Sequence, residues 1–277
     1  MKRYFDFDMN DYKDKKCNFH SHTVRCQHAV GEEREYVEEA IKEGFEVIGF
    51  SDHSPYLFKN GYVSRIRMTM SQLEDYVKTI EALKKEYRDD ITIFLALEME
   101  YFPGIFEPTI EKIRQYPMDY LLLAQHFFYE NESFISVRKN WTDEMHLKSY
   151  VDLLTNALDT GYFNMVAHPD IVNFTGDEAL YTKYMKKLAD RLKDEQIPIE
   201  INVNGFRELC NYPDRRFVKL GVENGNEFIV GVDAHDPDEY HDLASYKGCT
   251  KMAEDFGGKV FWHLIDTPIS SPNTSRS

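Results

Sequence analysis

The sequence predicts an α/β fold, a TIM-like barrel in a single domain that spans residues 1–277. Two observations predict it. Short apolar runs typical of buried strands alternate with amphipathic helical segments, and seven such strand-helix units follow one another along the chain. No stretch between the units has the composition of a linker. Regular alternation indicates a parallel sheet, and a series of this length favours a closed barrel over an open sheet.

The units can be assigned in order along the chain. Apolar residues at the spacing of one helix face predict the helices, and Gly44 marks the end of the first. Ser71 and Glu74 form a capping-box pattern that predicts the start of the second helix. The predicted strands are NFHSH, EVIGFSDH, ITIFLALE, YLLLAQH, FNMVAHPD, IPIEINVN and FIVGVDAH. The predicted helices lie in GEEREYVEEAIKEG and QLEDYVKTIEALKKEY, near 107–115, from a cap at Thr142 to about Thr160, over 177–195, around 214–223 and near 238–255.

Three segments fall outside these units. The run KVFWHL at 259–264 fits either an eighth strand or a packing tail. The loop 127–142 has no role that its sequence assigns. Residues 265–277 are small and polar and are predicted to be a flexible tail.

Composition limits the partners. The chain carries 48 acidic and 33 basic residues, a formal net charge of −15, which is unfavourable for gripping nucleic acid through phosphates. Its four cysteines form no C-x-x-C pair or disulfide scaffold. The charged start does not resemble a signal peptide, and no apolar run approaches the roughly 18 residues of a membrane span. We expect a soluble cytoplasmic protein without a nucleic-acid or membrane partner; the oligomeric state is not predicted.

Residue types that bind metals end nearly every predicted strand. They are His20, His22, His53, Glu98, His126, His168, Asp233 and His235, and His28 follows the first strand. The carboxyl ends of barrel strands converge on one face. One such histidine is more often an ordinary hydrogen-bonding residue, but packing does not explain six strands of seven, since buried imidazoles without metal are poorly compensated.

Nine ligands exceed what one tetrahedral ion or a simple pair of ions needs. Three ions with three or four ligands each fit, with Glu98 bridging. His20 and His22 also share one face of their strand, so both can reach one ion. The remaining histidines, His146 and His241 in helical segments and His263 near the end, are interpreted as surface or packing residues.

The ordered motifs resemble those of a known family. HSHT with a following C-x-H, then FSDH, LALEMEYFPG, a strand-ending histidine, AHPD and GVDAH are similar to the polymerase-and-histidinol-phosphatase (PHP) superfamily, and more narrowly to its histidinol-phosphatase branch. The match spans residues 17–236. It implies a distorted (β/α)7 barrel with a trinuclear metal centre, in agreement with the seven units. The stretch after the fourth strand departs from the family pattern, and so does Arg25.

The resemblance also implies a distribution of ligands. The first ion would be bound by His20, His22, Glu98 and Asp233, the second by Glu98, His126 and His168, and the third by His28, His53 and His235. Family members contain zinc, iron or manganese, and mixed nitrogen and oxygen ligands do not choose among these metals. We expect three divalent ions, with zinc as the first choice.

Clustered divalent ions suit the hydrolysis of phosphate esters, because they polarise phosphoryl oxygens and lower the pKa of a bridging water. With the resemblance, this predicts a phosphomonoesterase that converts L-histidinol phosphate to L-histidinol and phosphate by attack of a metal-bridging hydroxide. Asp233 is the predicted proton donor to the leaving alcohol.

Further residues are predicted to contact the substrate. Arg207 follows the sixth strand, matches a basic position of the histidinol-phosphatase branch and could clamp the phosphate in a bidentate manner. Glu100 and Tyr101 could hold an ammonium or imidazole group. Other basic candidates in loops near the site are Arg25, Lys59, Arg65 and Arg67. Asp52 is interpreted as support for the neighbouring His53 rather than as a ligand.

Two other functions are weighed against this one. A PHP-type phosphoesterase could act on nucleotides or another small phosphomonoester. A non-catalytic metal-binding module is disfavoured, because a degenerate domain should have lost ligands. No glycine-rich dinucleotide motif or P-loop opens any helix.

Overall fold

The structure is a computed structural model that describes residues 3–58, 61–130 and 133–261. Strands and helices alternate along these residues. The strands are β1 (Cys17–Asn18), β2 (Val47–Phe50), β3 (Thr92–Met99), β4 (Tyr120–Leu123), β5 (Phe127–Glu130), β6 (Ser133–Ser136), β7 (Met165–Val166), β8 (Ile199–Asn202), β9 (Phe228–Gly231) and β10 (Val260–Phe261). The α-helices are α1 (Glu33–Lys42), α2 (Leu73–Glu86), α3 (Phe106–Ile113), α4 (Glu144–Asp159), α5 (Glu178–Asp194), α6 (Val203–Arg207), α7 (Arg215–Asn224) and α8 (Leu243–Glu254). Lys59 and the predicted tail 265–277 lie outside the described residues.

The parallel strands form two arcs, ordered β1-β2-β3-β4-β7 and β10-β9-β8. On one side, a single parallel bridge between Ser21 and Ala234 joins the arcs, and the His22 N–H donates to the Ala234 carbonyl at 2.8 Å. On the other side, the His168 N–H donates to the Glu200 carboxylate at 2.7 Å. The predicted TIM-like α/β barrel is therefore confirmed. It is distorted because, within the described residues, neither seam is closed by a continuous ladder.

The end of the described chain adds a short eighth parallel strand. Val260 pairs with Phe228 and Phe261 with Ile229, so β10 lies beside the beginning of β9. The beginning of the predicted run at 259–264 is thus a strand rather than a tail, and 262–264 lie outside the described residues.

Two predicted helix caps are wrong. Helix α2 begins at Leu73 with Gln72 in the cap position, and no side chain caps it; the Ser71 hydroxyl lies 2.9 Å from that of Thr69 instead. Helix α4 is capped by Asp143 rather than Thr142, because the Asp143 carboxylate accepts the N–H of the third helical residue. Both errors move a helix start by one residue.

The predicted loop 127–142 contains an antiparallel hairpin that the pattern of seven units did not include. Strands β5 and β6 pair in register from Phe127 with Ser136 to Glu130 with Ser133. A further short helix, α6, follows β8 directly and begins where the Asn202 side chain accepts the Gly205 N–H. Both insertions follow the carboxyl end of a parallel strand.

The amino-terminal end of the barrel is filled by aromatic rings. The Phe7 ring enters from the segment before β1 and lies 4.7 Å from Tyr120 and 5.1 Å from Phe94, measured between ring centroids. Alternate residues of β4 divide between this inner cluster and the layer beneath the helices: Tyr120 faces inward and Leu121 outward. Polar side chains occupy the carboxyl-terminal end of the barrel. No helix in the described part of the chain is long and apolar enough to cross a membrane.

Candidate metal centre

Glu98 lies at the centre of a ring of imidazoles at the carboxyl end of the strands. Side chains alternate along β3, so Glu98 faces the barrel interior while its neighbour Leu97 packs beneath the helices. Five histidines place a ring nitrogen near its carboxylate: His53 at 2.7 Å, His168 at 3.1 Å, His20 at 3.5 Å, His126 at 3.6 Å and His22 at 3.8 Å. Side chains from four other predicted strand ends therefore meet at the Glu98 carboxylate.

Asp233, which follows β9, brings the remaining predicted ligands into the cluster. Its Oδ1 atom lies 3.0 Å from His22 Nε2, 3.3 Å from His20 Nε2 and 3.6 Å from His235 Nδ1. His28 joins through His235, since their Nε2 atoms are 3.1 Å apart. All nine residues predicted as ligands thus form one continuous group.

The contact between His28 and His235 favours a cation. The Nδ1 atom of His28 lies 2.8 Å from the Cys26 carbonyl, and that of His235 lies 3.0 Å from the Asp233 carbonyl. A carbonyl only accepts, so each Nδ1 carries the hydrogen and each neutral ring keeps its lone pair on Nε2. Burial and the nearby His22 lower the pKa of His235 to about 3, and burial also lowers the pKa of His28. Two facing lone pairs repel, whereas a metal ion would bind both.

Other buried atoms of the cluster that could ligate a metal also favour a bound cation. His20 Nε2, Glu98 Oε2 and Asp233 Oδ1 have no hydrogen-bond partner among the described residues. Buried polar atoms are rarely left unpaired, and unpaired ones at a functional site often mark an ion. Imidazole nitrogen and carboxylate oxygen are ligands of zinc and related divalent ions. The residues present therefore fit divalent metal ions.

The two carboxylates are held in the form that binds metal. Burial is the largest single effect on Glu98 and opposes its ionisation, but the neighbouring histidines, His53 first, together outweigh burial, and the pKa of Glu98 falls well below its usual range. For Asp233, His20, His22 and His235 together have the same effect, and the pKa of this carboxyl is also lowered against the effect of burial. Both side chains are thus ionised near neutral pH, as metal ligation requires.

Further carboxylates orient the imidazoles from behind. The Nδ1 atom of His20 donates to Glu200 at 2.9 Å, and that of His126 lies 3.2 Å from Glu100. A Cβ at Gly231 would overlap the Glu200 carboxylate, so this glycine leaves the space that Glu200 occupies. Such contacts fix the ring orientation and leave Nε2 directed at the centre. Sequence reasoning missed Glu200, although an acidic residue inside the apolar run of β8 is a signal that could have identified it.

Asp52 supports two residues of the cluster. It accepts the backbone N–H of His53 at 2.7 Å, and its other oxygen accepts the Thr23 hydroxyl. The same carboxylate lies 3.5 Å from Nδ1 of His22. Its supporting position agrees with the interpretation from the sequence, but the ring that it approaches is that of His22.

Two residues of the cluster have a strained backbone. His168 has φ of 27° and Asp233 has φ of 54°. Positive φ is uncommon for residues other than glycine, and such strain tends to persist at functional sites, where the surrounding structure imposes it. Here the strain places both side chains in the centre.

A cavity of about 420 Å³ opens above the cluster. Its floor contains seven of the nine predicted ligands: His28, His53, Glu98, His126, His168, Asp233 and His235. Its walls are formed by Ile66, Phe127, Ser136, Arg138, Asn204 and Tyr212. Arg138 follows the hairpin and lies over the Tyr212 ring, with 5.5 Å from its guanidinium carbon to the ring centroid. Sequence reasoning missed Arg138, although two apolar runs flanking a short polar turn in FFYENESFIS are a hairpin signal.

Several predicted substrate contacts are held elsewhere and do not line this cavity. Arg25 pairs with Glu33 and, at 2.6 Å, with Asp75. Glu100 is 1% exposed and forms a buried ion pair with Arg67 at 2.8 Å.

The other two candidates in this part of the chain also lie away from the cavity. The Tyr101 ring packs against Phe106, with 5.1 Å between the ring centroids. Arg65 is exposed. In this arrangement, Glu100 and its partner Arg67 support His126 rather than reach a ligand, and Tyr101 contributes to packing.

Arg207 lies beside the cavity rather than in its wall. Its Nη2 atom donates to Glu239 at 2.6 Å and to the Asn204 side chain at 2.8 Å. Asn204 lines the cavity and lies 3.4 Å from Asp233. The guanidinium is thus one side chain away from the donor cluster.

The order of these residues along the chain matches a known family. A family model for the PHP domain matches residues 18–204, more than half of the chain. The chain belongs to the PHP domain family. Seven of the nine predicted ligands lie inside the matched PHP segment, and Asp233 and His235 follow it. Family membership and the donor cluster together indicate that this PHP protein depends on metal ions.

Relatives of the PHP protein include named phosphatases. It is 27% identical over 251 residues to the "Probable histidinol-phosphatase" of Deinococcus radiodurans, across 88% of this chain and 95% of the other. It is 34% identical over 137 residues to the histidinol-phosphatase of Bacillus subtilis, across 48% of this chain and 47% of the other. Its fold is similar to that of histidinol phosphate phosphatase from Lactococcus lactis, solved with zinc, L-histidinol and phosphate. The TM-score is 0.69 at 20% identity, covering 89% of this chain and 95% of that one.

Proposed function

We propose that this PHP protein is a metal-dependent phosphomonoesterase that hydrolyses L-histidinol phosphate to L-histidinol and phosphate. The observation that carries the proposal is the nine-residue donor cluster at the floor of a cavity that also presents the Arg138 guanidinium. A cationic wall above a metal-binding floor suits a phosphate dianion. The names of the similar phosphatases supply the substrate.

We assign three divalent ions to this centre, with zinc as the first choice and iron or manganese as alternatives. The grouping is His20, His22, Glu98 and Asp233 for the first ion, Glu98, His126 and His168 for the second, and His28, His53 and His235 for the third. The central position of Glu98 supports its bridging role, and the facing Nε2 atoms of His28 and His235 support a shared ion. Bound ions would supply Lewis-acid polarisation of the phosphoryl oxygens and acidify a water molecule.

Asp233 is the residue that we assign to proton transfer. It is ionised at rest, so it first accepts a proton from the attacking water and then returns it to the leaving oxygen of the alcohol. Its Oδ2 atom already accepts hydrogen bonds from Asn202 at 3.1 Å and from Asn204 at 3.4 Å, whereas Oδ1 has no hydrogen-bond partner in the described part of the chain. Oδ1, which faces His20 and His22, is therefore the oxygen that we assign to the first ion, and Oδ2, which the two asparagine amides orient, is the oxygen that we assign to the proton.

Two arginines are assigned to the phosphate. Arg138 lines the cavity and could donate through its guanidinium, which now lies 3.0 Å from Cys210 Sγ. Arg207 is held beside Asn204, which lines the cavity, and could reach the same group past that side chain. Phe127 and Tyr212 supply aromatic wall surface that suits the substrate imidazole ring.

A phosphate-release assay on the metal-loaded protein tests the proposal. The panel contains L-histidinol phosphate, several nucleoside monophosphates and an aryl phosphate, and we expect L-histidinol phosphate to give the highest kcat/KM. A His22→Asn variant purified in the same way controls for contaminating phosphatases. A nucleotide or aryl phosphate hydrolysed with a higher kcat/KM would replace the proposed substrate, and absence of all turnover would contradict the enzyme itself.

A further inference from the structure

Glu239 connects the metal centre to Arg207. It lies on the short 3-10 helix Pro237–His241, just after the segment that carries His235. One carboxylate oxygen accepts the backbone N–H of His235 at 2.7 Å, and the other accepts from Arg207 Nη2 at 2.6 Å. The backbone of His235 and the side chain of Arg207, which come from different strand-helix units, are therefore held by one carboxylate.

The contacts of Arg207 use the Nε and Nη2 edge of the guanidinium, with Nε 3.5 Å from Glu208. The Nη2 atom of Arg207 is shared between Glu239 and Asn204, whereas Nη1 is buried and has no hydrogen-bond partner among the described residues. The ion pair is largely shielded from solvent, since the two side chains are 20% and 19% exposed. A buried donor without a partner is costly and becomes satisfied when an acceptor binds. A phosphate oxygen in the adjoining cavity would be such an acceptor.

We propose that Glu239 is a positioning residue that fixes Arg207 relative to His235, so that the free edge of the guanidinium meets the substrate phosphate. The assignment rests on the proposed function, because it requires a phosphate in the cavity. Glu239 itself touches neither the substrate nor a metal ion. It acts through Arg207, and its influence on binding should disappear when Arg207 is removed.

A double-mutant cycle tests this inference on the metal-loaded protein. The variants are Glu239→Gln, Arg207→Met and the combination of both, and calorimetry measures the Kd for inorganic phosphate. Metal content is measured on each variant by elemental analysis. Asp238→Asn is the matched control, because it removes one negative charge from an exposed residue of the same 3-10 helix.

We expect Glu239→Gln to weaken phosphate binding by about tenfold, the typical effect of losing one charge-assisted contact. Its metal content should stay at the parent level, and KM for L-histidinol phosphate should change more than kcat. In the Arg207→Met background, adding Glu239→Gln should change the Kd by less than about twofold, because coupled residues are not additive. Asp238→Asn should bind phosphate like the parent. Glu239→Asp, which keeps the charge, should fall between the parent and Glu239→Gln.

Three results would overturn the inference. They are an equal loss of phosphate affinity from Glu239→Gln with and without Arg207, a loss of metal in Glu239→Gln, and a Glu239→Asp variant that binds phosphate more weakly than Glu239→Gln. A parent protein that binds no phosphate would overturn it as well. Phosphate binding needs no turnover, so a parent that binds phosphate but does not hydrolyse L-histidinol phosphate would refute the proposed function and leave this cycle interpretable.

Discussion

At the scale of single residues, the centre depends on groups that fix which nitrogen of each imidazole faces inward. Backbone carbonyls take the Nδ1 hydrogen of His28 and His235, and the Glu200 carboxylate takes that of His20. The inward nitrogens of His28 and His235 then carry lone pairs, and that of His20 would do so once a metal ion displaces its proton, which is the arrangement a metal ion requires. A substitution at the centre should therefore change metal binding more than it changes folding.

His22→Asn should show this separation. The imidazole lies between Asp233 and Glu98 and is 1% exposed, so its removal takes one donor from the centre without opening the outer core. We expect kcat to fall by orders of magnitude and metal content to fall, while the far-ultraviolet circular dichroism stays that of the parent. His146→Asn, which changes a histidine outside the centre, is the control. Normal turnover in a His22→Asn variant that has lost metal would show that the ions are not catalytic.

Arg138→Met tests a contact that the sequence pattern did not reveal. One charge-assisted hydrogen bond to phosphate, worth about 1.5–3 kcal/mol, would be lost. The expected result is a decrease in kcat/KM of about ten- to hundredfold, with weaker inhibition by free phosphate and unchanged metal content.

Lys139→Met, a change of the exposed neighbouring cation, should have little effect on either measurement. Equal kcat/KM values for Arg138→Met and Lys139→Met would remove Arg138 from the phosphate site.

At the scale of elements, insertions after the strands hold the site in place. The hairpin of β5 and β6 supplies Phe127 and Ser136 to the cavity wall. After β9, the 3-10 helix Pro237–His241 contacts the end of α1 through a surface histidine: His241 lies 2.6 Å from Glu43, which caps α1, and 2.8 Å from Glu39. This short 3-10 helix also carries Glu239, which accepts the backbone N–H of His235, so the contact with α1 is linked to the metal centre.

The contact between His241 and α1 should depend on pH. Hydrogen bonds to Glu43 and Glu39 raise the pKa of His241, so the folded protein favours the protonated ring. A raised pKa contributes stability that is fully present below the unfolded value of about 6.5 and is lost as pH rises through the folded pKa. We therefore expect His241→Gln to lower Tm near pH 6 and to have less effect near pH 9. Lys42 also pairs with Glu39 at 2.5 Å, so this carboxylate keeps a cationic partner in the variant, and the decrease in Tm should be smaller for that reason.

Lys247→Gln removes a positive charge at an exposed position of α8 and serves as the control. A difference in Tm between parent and His241→Gln that stays constant from about pH 6 to pH 9 would contradict the electrostatic origin.

At the scale of the whole molecule, the two ends of the barrel differ. Aromatic side chains fill one end, and the candidate metal centre lies at the other. Phe7 and its aromatic neighbours fill the amino-terminal end, and the carboxyl ends of the strands carry buried charges and imidazoles. Buried charges cost free energy unless they are paired or bound to metal. Metal ions are thus expected to stabilise the fold as well as to serve the reaction.

Metal content and thermal stability should change together. Protein purified without chelator is expected to contain more than two equivalents of transition metal per chain by elemental analysis. Removing the ions with a chelator should lower Tm, because a ligand that binds only the folded state stabilises it. Adding zinc back should restore both Tm and phosphate release. One equivalent of metal or less would contradict the trinuclear assignment, and an unchanged Tm would contradict the stabilising role.

The clustering of the nine histidine and carboxylate residues could be predicted because it depends on local features. Strand periodicity tells which side chains face inward, and parallel order brings all strand ends to one face, so Glu98 and His126 had to approach each other. Most helix bounds were also close to those observed, since apolar spacing decides them, but the predicted helix near 238–255 divides into the 3-10 helix Pro237–His241 and α8, which begins at Leu243. Caps were less certain, because Ser71 and Thr142 compete with polar neighbours for the same backbone N–H groups.

The tertiary structure alone decided which charged side chains reach the cavity. Arg25 and Glu100 were reasonable substrate contacts from the sequence, but ion pairs with Asp75 and Arg67 hold them elsewhere. Arg138 reaches the cavity because a hairpin folds back over the centre. The position of a charged side chain depends on its ion-pair partner. Such partners lie far apart in the sequence, so no local sequence pattern identifies them. The sequence by itself therefore determined the barrel and its donor cluster, and the pairing of charges across the fold decided what surrounds that cluster.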